Sequence, residues 1–386
     1  MGRDPEQRPV THAELTPAGG PPPPAPAPVL PVFHCDDPDP TRRGHAFGRA
    51  HGHRIRATVT AYRELFDAVG VAPQDLRPHG EQAVDEIARW APDLYAELAA
   101  SASGAGLPVW ELALVNARTE VLATVGATAE GECSTAVHVG GPGAPHTIQT
   151  WDWHEEMAFA RTLTGHRAGA SGPGVRIFTE AGALAKIGVS EAGLGVHFNI
   201  LSHREDGDGI GVPVHVVARR ILDLAGTVAE AVDIARSARV TASTVLTVVT
   251  YDGRHADAAS IEISPAGVAV VRPDADGFLL HTNHFLDPVL ALGEIAAPSG
   301  STYARHAHLH THRALLADPD PGRWTELLRA HDSDGAPVCC HPQEGLPFHL
   351  QWRTLLTVSL DLAAARLRLH PGGPCTAAAP DTWIHL

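Results

Sequence analysis

The spacing of apolar residues changes from a helical to a strand pattern about a third of the way along the chain. Within 51–70, apolar residues recur at intervals of three and four, at Ile55, Val59, Tyr62, Leu65 and Phe66. This spacing predicts an amphipathic helix that Gly70 ends. Helical spacing continues over 81–107, with a break or kink at Pro92, and over 108–122. The N-terminal third is therefore predicted to be mainly α-helical.

Strand-like segments dominate after Cys133. They are short, rich in β-branched residues and bounded by Gly or Pro, which is typical of hairpin strands. These segments cover 134–139, 146–153, 175–180, 183–190, 194–201, 243–253, 258–267, 268–273 and 277–285, followed by a final hairpin over 352–372. Helical spacing returns over 212–224, from Thr227 onward, and over 301–318 and 323–334. Two groups of strands with helices between them predict an α+β domain of stacked sheets flanked by helices.

Charge and composition narrow the range of partners. The 386 residues include 29 basic and 44 acidic side chains, a net charge of −15, and Lys186 is the only lysine. Nucleic-acid binding needs clustered Lys and Arg, so we expect no nucleic-acid partner. No apolar run approaches the ~20 residues of a membrane span, and a signal peptide is not evident, so we expect a cytoplasmic protein with no membrane partner. Residues 1–30 end in a Pro-rich tract, which predicts a disordered or polyproline leader.

Neither the cysteines nor the histidine-rich segment predicts a metal site. The five cysteines, an odd number without CxxC spacing, are Cys35, Cys133, Cys339, Cys340 and Cys375. They fit neither a disulfide framework nor a zinc site, and the adjacent pair at 339–340 is more typical of packing. On a helix, the four histidines of 306–312 would form two i,i+4 pairs, but no third ligand lies nearby in the sequence. We therefore expect no native metal.

A hairpin following Cys133 is predicted to place this cysteine opposite Asp152. If 140–145 is the loop, Val139 faces His146 and paired positions sum to 285. Cys133 then faces Asp152, and both side chains lie on one face of the hairpin. A thiol and a carboxylate at the open end of the hairpin would share a pocket. A buried structural cysteine beside a surface aspartate is the alternative interpretation.

A carboxylate beside a thiol is chemically useful only if a cation lies between them. Negative charge alone disfavours the thiolate, and the sequence offers no nearby Lys or Arg that fits the role. An α-amino group on Cys133 itself would fit, because its reference pKa of ~8 makes it a usable base near neutral pH. Asp152 would then hold the ammonium form in place. This chemistry requires a chain break between Glu132 and Cys133.

Several motifs surround this hairpin in a fixed order. They are a leader segment "GAGLPVWELALVNARTE", then Gln149, Trp151, Asp152 and Trp153 in "QTWDW", Asn199 in "KIGVSEAGLGVHFNIL", Asn283 in "LLHTNHF", and Ser301 with Arg305 in "STYARHAHL". In this order the motifs resemble the penicillin acyltransferase-like family of N-terminal nucleophile (Ntn) hydrolases, which cleave themselves before a cysteine. The resemblance implies a four-layer αββα Ntn-hydrolase sandwich. It also implies a helical pro-segment over 31–132 and a catalytic core over 133–386, two fragments that stay together after cleavage.

The resemblance also implies residue roles. Cys133 would be the nucleophile, and Asp152 would orient its freed amine. Asn199 and Asn283 would donate hydrogen bonds to the oxyanion of the tetrahedral intermediate. Further residues implied near the substrate are Gln149, Trp151, Trp153, Arg305 and Arg353. The asparagines could otherwise serve only at turns or strand ends.

Glu132 departs from the family pattern, in which Gly commonly precedes the cleaved bond. A Glu restricts the strained backbone that self-cleavage needs, although its carboxylate could also act as a local base. An uncleaved, non-catalytic relative that serves as a binding or metal-handling protein is therefore the alternative hypothesis.

The expected activity is acyl transfer or amide hydrolysis through a Cys133 thioester, without a cofactor. The acyl donor would be an amide or an acyl-coenzyme A, and the acceptor would be an amine or water. A serine hydrolase is excluded because "GVSEAG" lacks the G-x-S-x-G spacing. A phosphate-binding loop is excluded because "GGPGAP" is followed by a strand rather than a helix.

Overall fold

The computed structural model describes residues 30–127, 133–141, 143–157, 163–168, 173–295, 300–343, 345–377 and 382–386. The expected leader, apart from its last residue, and Glu132 lie outside the described residues. The α-helices in this part of the chain are α1 (Pro40–Ala68), α2 (Pro73–Trp90), α3 (Pro92–Ala105), α4 (Val109–Asn116), α5 (Arg118–Thr124), α6 (Val214–Leu224), α7 (Val228–Ser237), α8 (Thr302–His312) and α9 (Pro321–Leu327).

The strands begin before the first helix and continue to the C-terminus. They are β1 (Val32–Cys35), β2 (Ser134–His138), β3 (His146–His154), β4 (Leu163–Ala168), β5 (Val175–Glu180), β6 (Ile187–Ser190), β7 (Leu194–Ile200), β8 (Thr244–Tyr251), β9 (Ala256–Ser264), β10 (Gly267–Val271), β11 (Phe278–His281), β12 (Trp352–Asp361), β13 (Arg366–Pro371) and β14 (Ile384–His385). Within the described ranges, no helix combines the length and the apolar character needed to cross a membrane.

The first helix is fixed at both ends and packs closely against α3. The Asp39 carboxylate accepts a hydrogen bond of 2.8 Å from the N–H of Thr41, which caps the helix start. Gly44 lies so near α3 that a Cβ there would stand 2.1 Å from the carbonyl oxygen of Glu97. The helix ends at Ala68, and Gly70 follows in the left-handed conformation with φ of 92°. The helix end expected from the sequence is therefore confirmed.

The helical N-terminal third is confirmed, with one additional break. Pro92 separates α2 from α3, as expected. The single helix expected over 108–122 is instead two helices, α4 and α5. Asn116, the last residue of α4, donates a hydrogen bond to the carbonyl of Gly182 and accepts one from the N–H of Leu184. This contact with a distant turn holds the break, and no local sequence pattern reveals it.

Two sheets stack between helical layers. The eight-stranded sheet has the order β1-β4-β5-β6-β7-β8-β9-β10, and the six-stranded sheet has the order β11-β2-β3-β12-β13-β14. Helices α6 and α7 pack against the first sheet, and α8 and α9 pack against the second. The α+β class and the αββα arrangement are therefore confirmed. Strand β1 was not expected; it pairs with β4 in parallel, so the N-terminal segment contributes a strand as well as helices.

The β2–β3 hairpin has a different register from the expected one. Ser134 pairs with Thr150, and paired positions sum to 284 rather than 285. The expected pairing of Val139 with His146 is wrong, because the N–H of Val139 donates a hydrogen bond of 2.9 Å to the carbonyl oxygen of Gly277. That contact draws Val139 toward the segment before β11 and lengthens the loop of the hairpin.

The shift by one residue changes which side chains of β3 lie on the same face of the hairpin as a given side chain of β2. Thr135 lies opposite Gln149, whereas the expected register placed it opposite Thr150. The predicted opposition of Cys133 and Asp152 is therefore wrong. The two residues are nevertheless neighbours, because the Cys133 thiol lies 3.9 Å from the backbone carbonyl oxygen of Asp152 and donates to it.

Candidate active site

Cys133 lies directly before β2, and its backbone is held from two sides. The side-chain amide of Asn199 and the guanidinium of Arg305 each donate a hydrogen bond of 2.9 Å to its carbonyl oxygen. The residue is 4% exposed, so its thiol is shielded from solvent. Strand β7 and helix α8, from opposite sides of the six-stranded sheet, thus converge on the start of β2.

The orientation of the Asn199 amide is fixed by its neighbours. The hydroxyl of Thr135 donates a hydrogen bond of 2.7 Å to Oδ1 of Asn199, and Nε2 of Gln149 donates to the same atom at 3.3 Å. Gln149 is itself held by a hydrogen bond of 2.9 Å between its Oε1 and Nδ1 of His197. Because Oδ1 accepts both bonds, Nδ2 is the atom that faces Cys133.

Arg305 connects the Cys133 carbonyl to the second predicted oxyanion residue. Its guanidinium also donates hydrogen bonds of 3.0 Å to Oγ of Ser134 and to Oδ1 of Asn283. The planar guanidinium presents several donors in a rigid fork, which a lysine could not do. A continuous chain of hydrogen bonds therefore runs from Asn199 to Asn283.

The Cys133 thiol experiences opposing electrostatic effects. Burial, followed by the charge of Asp152, raises the pKa of this thiol to about 12. The charges of Lys186 and Arg305 act to lower the pKa without reversing the shift. The thiol is therefore protonated at neutral pH in the intact chain. It needs a base before it can attack a carbonyl carbon.

Lys186 is a buried cation whose charge acts on the Cys133 thiol, and its position in the sequence predicts no role for it. Its Nζ lies 4.2 Å from the ring centroid of Trp151 and 5.0 Å from that of Trp153. Burial lowers the pKa of Lys186 to about 7, although the Glu180 carboxylate, 3.8 Å away, acts to raise it. No Lys or Arg lies near Cys133 in the sequence, but the fold brings the charges of the distant Lys186 and Arg305 close enough to act on the thiol. The feature of the sequence that could have indicated this role is a single lysine within an apolar segment that is predicted to form a strand.

The other residues expected near the substrate divide into two groups. Strand β3 contributes three fully buried residues, Gln149, Trp151 and Trp153. Arg353 of β12 forms an ion pair of 2.8 Å with Glu155, and its side chain is 46% exposed. In the described part of the chain, Arg305 therefore belongs to the hydrogen-bond network of Cys133, whereas Arg353 does not.

The histidine-rich segment forms α8, as its spacing predicted. The rings of His308 and His312 lie 4.5 Å apart, and the ring of His306 lies 5.3 Å from that of His284. Burial, together with neighbouring His residues, lowers the pKa of His306 to about 4. Among the residues with described positions, these histidines form no group with a third metal-binding side chain.

Two sheets stacked between helical layers, with a buried cysteine at the start of a central strand, define an αββα protein with the arrangement that the family resemblance implies. The family model of acyl-coenzyme A:6-aminopenicillanic acid acyl-transferase matches residues 140–376, and the chain belongs to this family. The chain thus belongs to a family of acyltransferase enzymes. The match begins downstream of Cys133 and does not itself cover the proposed nucleophile.

Individual relatives are similar over most of their length. Acyl-coenzyme A:6-aminopenicillanic-acid-acyltransferase 40 kDa form from Emericella nidulans is 26% identical over 289 residues, which cover 74% of this chain and 76% of that protein. Penicillin V acylase from Agrobacterium tumefaciens has a TM-score of 0.42 and 16% identity, covering 62% of this chain and 83% of its own. A mutant conjugated bile acid hydrolase from Clostridium perfringens has a TM-score of 0.41 and 12% identity, covering 66% and 92%.

Proposed function

We propose that this protein is a self-cleaving Ntn-type cysteine acyltransferase or amidase that acts through a thioester on Cys133. The observation that carries the proposal is the double hydrogen bond from Asn199 and Arg305 to the carbonyl oxygen of Cys133. Two donors from separate elements fix the orientation of this residue at the strand start. A nucleophile must be held in this way, because small misplacements cost large factors in rate.

Self-cleavage would convert the Glu132–Cys133 peptide bond into a thioester and then into two chain ends. The thiol attacks the carbonyl carbon of Glu132, the C–N bond breaks, and the α-nitrogen of Cys133 takes the thiol proton. Water then hydrolyses the thioester, releasing the Glu132 carboxylate and regenerating the thiol. The product carries an α-amine on Cys133, which is the base that a thiol with a raised pKa requires.

Asp152 and Lys186 would set the charge balance around the new amine. The backbone carbonyl of Asp152 accepts a hydrogen bond from the Cys133 thiol, so Asp152 lies next to Cys133. Its carboxylate stabilises the ammonium form of the amine. The Lys186 ammonium opposes this effect and favours the thiolate of Cys133. Asp152 would thus favour the protonated amine of Cys133, and Lys186 would favour the deprotonated thiol of the same residue.

Asn199 and Asn283 would stabilise the oxyanion of the tetrahedral intermediate. Each side-chain amide carries two N–H groups. Among the hydrogen bonds between described residues, Asn199 uses one on the Cys133 carbonyl and Asn283 uses one on the carbonyl of Ile200. The second N–H of each amide is the proposed oxyanion donor, and one such donor typically stabilises a transition state by ~3 kcal/mol.

In turnover, the α-amine of Cys133 would take the thiol proton and become the α-ammonium as the sulfur attacks the acyl carbonyl of an amide or acyl-coenzyme A donor. The leaving amine or thiol departs with the proton from the α-ammonium, and the acyl group remains on sulfur as a thioester. Water or an amine then attacks the thioester and restores the free thiol. We propose the acceptor named for the Emericella nidulans relative, 6-aminopenicillanic acid, as the first amine to test.

The pro-segment would remain bound after cleavage, because buried polar contacts join it to the catalytic core. Tyr62 and Arg118, on the N-terminal side of the cleavage site, bond to the carboxylate of Glu180 at 2.5 and 2.7 Å. Glu180 in turn lies beside Lys186, so the pro-segment also sets the charge environment of the candidate site. Strand β1 pairs with β4 across the same division.

Intact mass and N-terminal sequencing of purified protein test the proposal. Wild-type protein should consist of two co-migrating fragments, 1–132 and 133–386. Cys133→Ala should remain one chain, and Cys133→Ser should cleave slowly because a hydroxyl is the weaker nucleophile. Glu132→Gly should cleave at least as fast as wild type.

Cys340→Ser is the matched control for this experiment, because Cys340 is also buried but lies in the loop before β12 rather than at the start of β2. It should cleave at the wild-type rate. Wild-type protein that keeps its full mass for days at neutral pH would overturn the proposal and favour the non-catalytic alternative. Incubation with an acyl-coenzyme A, with and without 6-aminopenicillanic acid, then separates transfer from hydrolysis by whether an amide or a carboxylic acid forms.

A further inference from the structure

Four side chains with metal-binding atoms meet on the side of the six-stranded sheet that α9 covers. They are His331, Cys339, His341 and Cys375. Three of them belong to the connection between α9 and β12, and Cys375 belongs to the turn after β13. Their potential ligand atoms all lie within 4.8 Å of one another. Among the hydrogen bonds between described residues, none of the four takes part in the network around Cys133.

The distances inside the group fit a tetrahedral ion. Nε2 of His341 lies 3.6 Å from Sγ of Cys339 and 3.6 Å from Sγ of Cys375. In tetrahedral zinc sites, a thiolate sulfur at ~2.3 Å and an imidazole nitrogen at ~2.0–2.1 Å from the metal are about 3.5–3.6 Å apart. One imidazole nitrogen thus already stands at this separation from both sulfurs.

We propose that His331, Cys339, His341 and Cys375 form a structural zinc site. Two thiolates and two imidazoles are a donor set that zinc prefers, whereas magnesium and calcium require oxygen ligands. Binding of Zn²⁺ releases the protons of the two thiols and leaves a neutral site. Four protein ligands complete the coordination shell, so the ion has no open position for catalysis.

Neighbouring residues hold the proposed zinc ligands in place. The Asp334 carboxylate accepts a hydrogen bond of 2.9 Å from the backbone N–H of His331, which holds that residue in place. The N–H of Cys339 donates a hydrogen bond of 2.8 Å to the carbonyl of Ala330. Gly373 leaves the space that the Cys339 sulfur occupies, because a Cβ there would stand 2.5 Å from it.

The zinc ion would stabilise the wall of a cavity close to the candidate active site. A cavity of about 550 Å³ is lined by residues that include Cys339, His341, Ser301 and Ala304. The backbone N–H of Cys340 donates a hydrogen bond of 2.8 Å to Oγ1 of Thr354 in β12. The pairing partner of that threonine in β3 is Asp152. The ion would thus connect two loops to the strands that carry the proposed catalytic groups.

The test is metal analysis of full-length protein prepared without an affinity tag, loaded with Zn²⁺ under reducing conditions and washed with a mild chelator. We expect about one zinc ion per chain to remain, as for a structural site. Replacement by Co²⁺ should give the intense visible bands of tetrahedral cobalt and a thiolate-to-cobalt charge-transfer band. Removal of zinc with a strong chelator should lower the Tm by several degrees.

Matched variants separate this site from other metal-binding side chains. Cys375→Ser, a change in a partly exposed turn, should lose the retained zinc and the charge-transfer band. Cys340→Ser, at the adjacent thiol outside the group, and His308→Asn, in the histidine-rich helix, should keep both. Zinc that survives in Cys375→Ser, or is lost in His308→Asn, would overturn the proposal. Wild-type protein without retained zinc, including one with Cys339 and Cys375 joined in a disulfide, would also overturn it.

Discussion

The guanidinium of Arg305 and the carbonyl oxygen of Cys133 are joined by a hydrogen bond of 2.9 Å. This bond connects α8, an outer helix, to the start of a central strand. Arg305 is 1% exposed, so its charge is placed in a low-dielectric environment where each of its hydrogen bonds is strong. The orientation of Cys133 therefore depends on a residue far along the chain.

Replacement of Arg305 by Lys should slow self-cleavage by roughly 10²-fold, because a lysine retains the charge but not the fork of donors. The half-time of fragment formation after purification measures the effect. Arg313→Lys, just beyond α8 and paired with surface aspartates, is the control and should leave the half-time unchanged. A wild-type half-time in Arg305→Lys would show that the contact has no positioning role.

Replacement of Asp152 by Asn should preserve folding but lower turnover by about 10²-fold or more, because a neutral amide stabilises the ammonium form of the Cys133 amine less well. Turnover of any accepted acyl donor and the Tm should be measured together. Asp257→Asn, at an exposed ion pair with Arg272, is the control. Unchanged turnover in Asp152→Asn would remove this residue from the mechanism.

The elements were predictable from the sequence where local spacing determines them. The helix that ends before Gly70, the break at Pro92 and the final hairpin follow from periodicity and from Gly and Pro positions. The hairpin register was not predictable in this way. It depends on the hydrogen bond from Val139 to Gly277, and those residues are far apart in the sequence. Strand β1 likewise forms through pairing with a distant strand.

The site was predictable only where a family motif contained it. Cys133, Asn199, Asn283 and Arg305 were expected from motifs, and the structure brings them into one network. Lys186 is the first residue of the motif that contains Asn199, but the resemblance implies no role for it, and its ammonium packs on the ring of Trp151 in β3. The proposed zinc site was hidden because its ligands lack the short spacings of zinc motifs.

Lys186 should titrate near pH 7 because burial disfavours its charged form. The chain contains one lysine, so ¹³C-labelled lysine gives a single side-chain signal whose pH dependence reports the pKa directly. Lys186→Met should abolish the signal and slow cleavage at neutral pH, since loss of the cation raises the pKa of the Cys133 thiol further. A midpoint near the ordinary value of 10.5 would contradict the buried environment.

A buried carboxylate between two arginines should make the attachment of the pro-segment dependent on pH. Glu97 of α3 accepts hydrogen bonds from Arg43 at 2.6 Å and from Arg219 of α6 at 3.0 Å. Burial acts to raise the pKa of Glu97, but the charges of Arg219 and Arg43 lower it from 4.5 to about 2. Because the pKa of Glu97 is lower in the folded chain than in the unfolded chain, ionised Glu97 stabilises the folded state at pH values above the unfolded pKa of about 4.5. This stabilisation disappears as the pH falls from about 4.5 toward 2.

Glu97→Gln, made in the intact Cys133→Ala chain, should therefore lower the free energy of unfolding by about 3 kcal/mol at pH 7, because two buried guanidinium groups lose their anion. The difference between variant and parent should stay constant down to about pH 5 and shrink below it, since the parent then begins to lose the same contribution. Urea unfolding across this range measures it. Glu81→Gln, at an exposed pair with Arg77, is the control and should change the free energy by less than about 0.5 kcal/mol. A difference in Glu97→Gln that persists unchanged to pH 3 would show that the carboxylate charge is not what joins the pro-segment to α6.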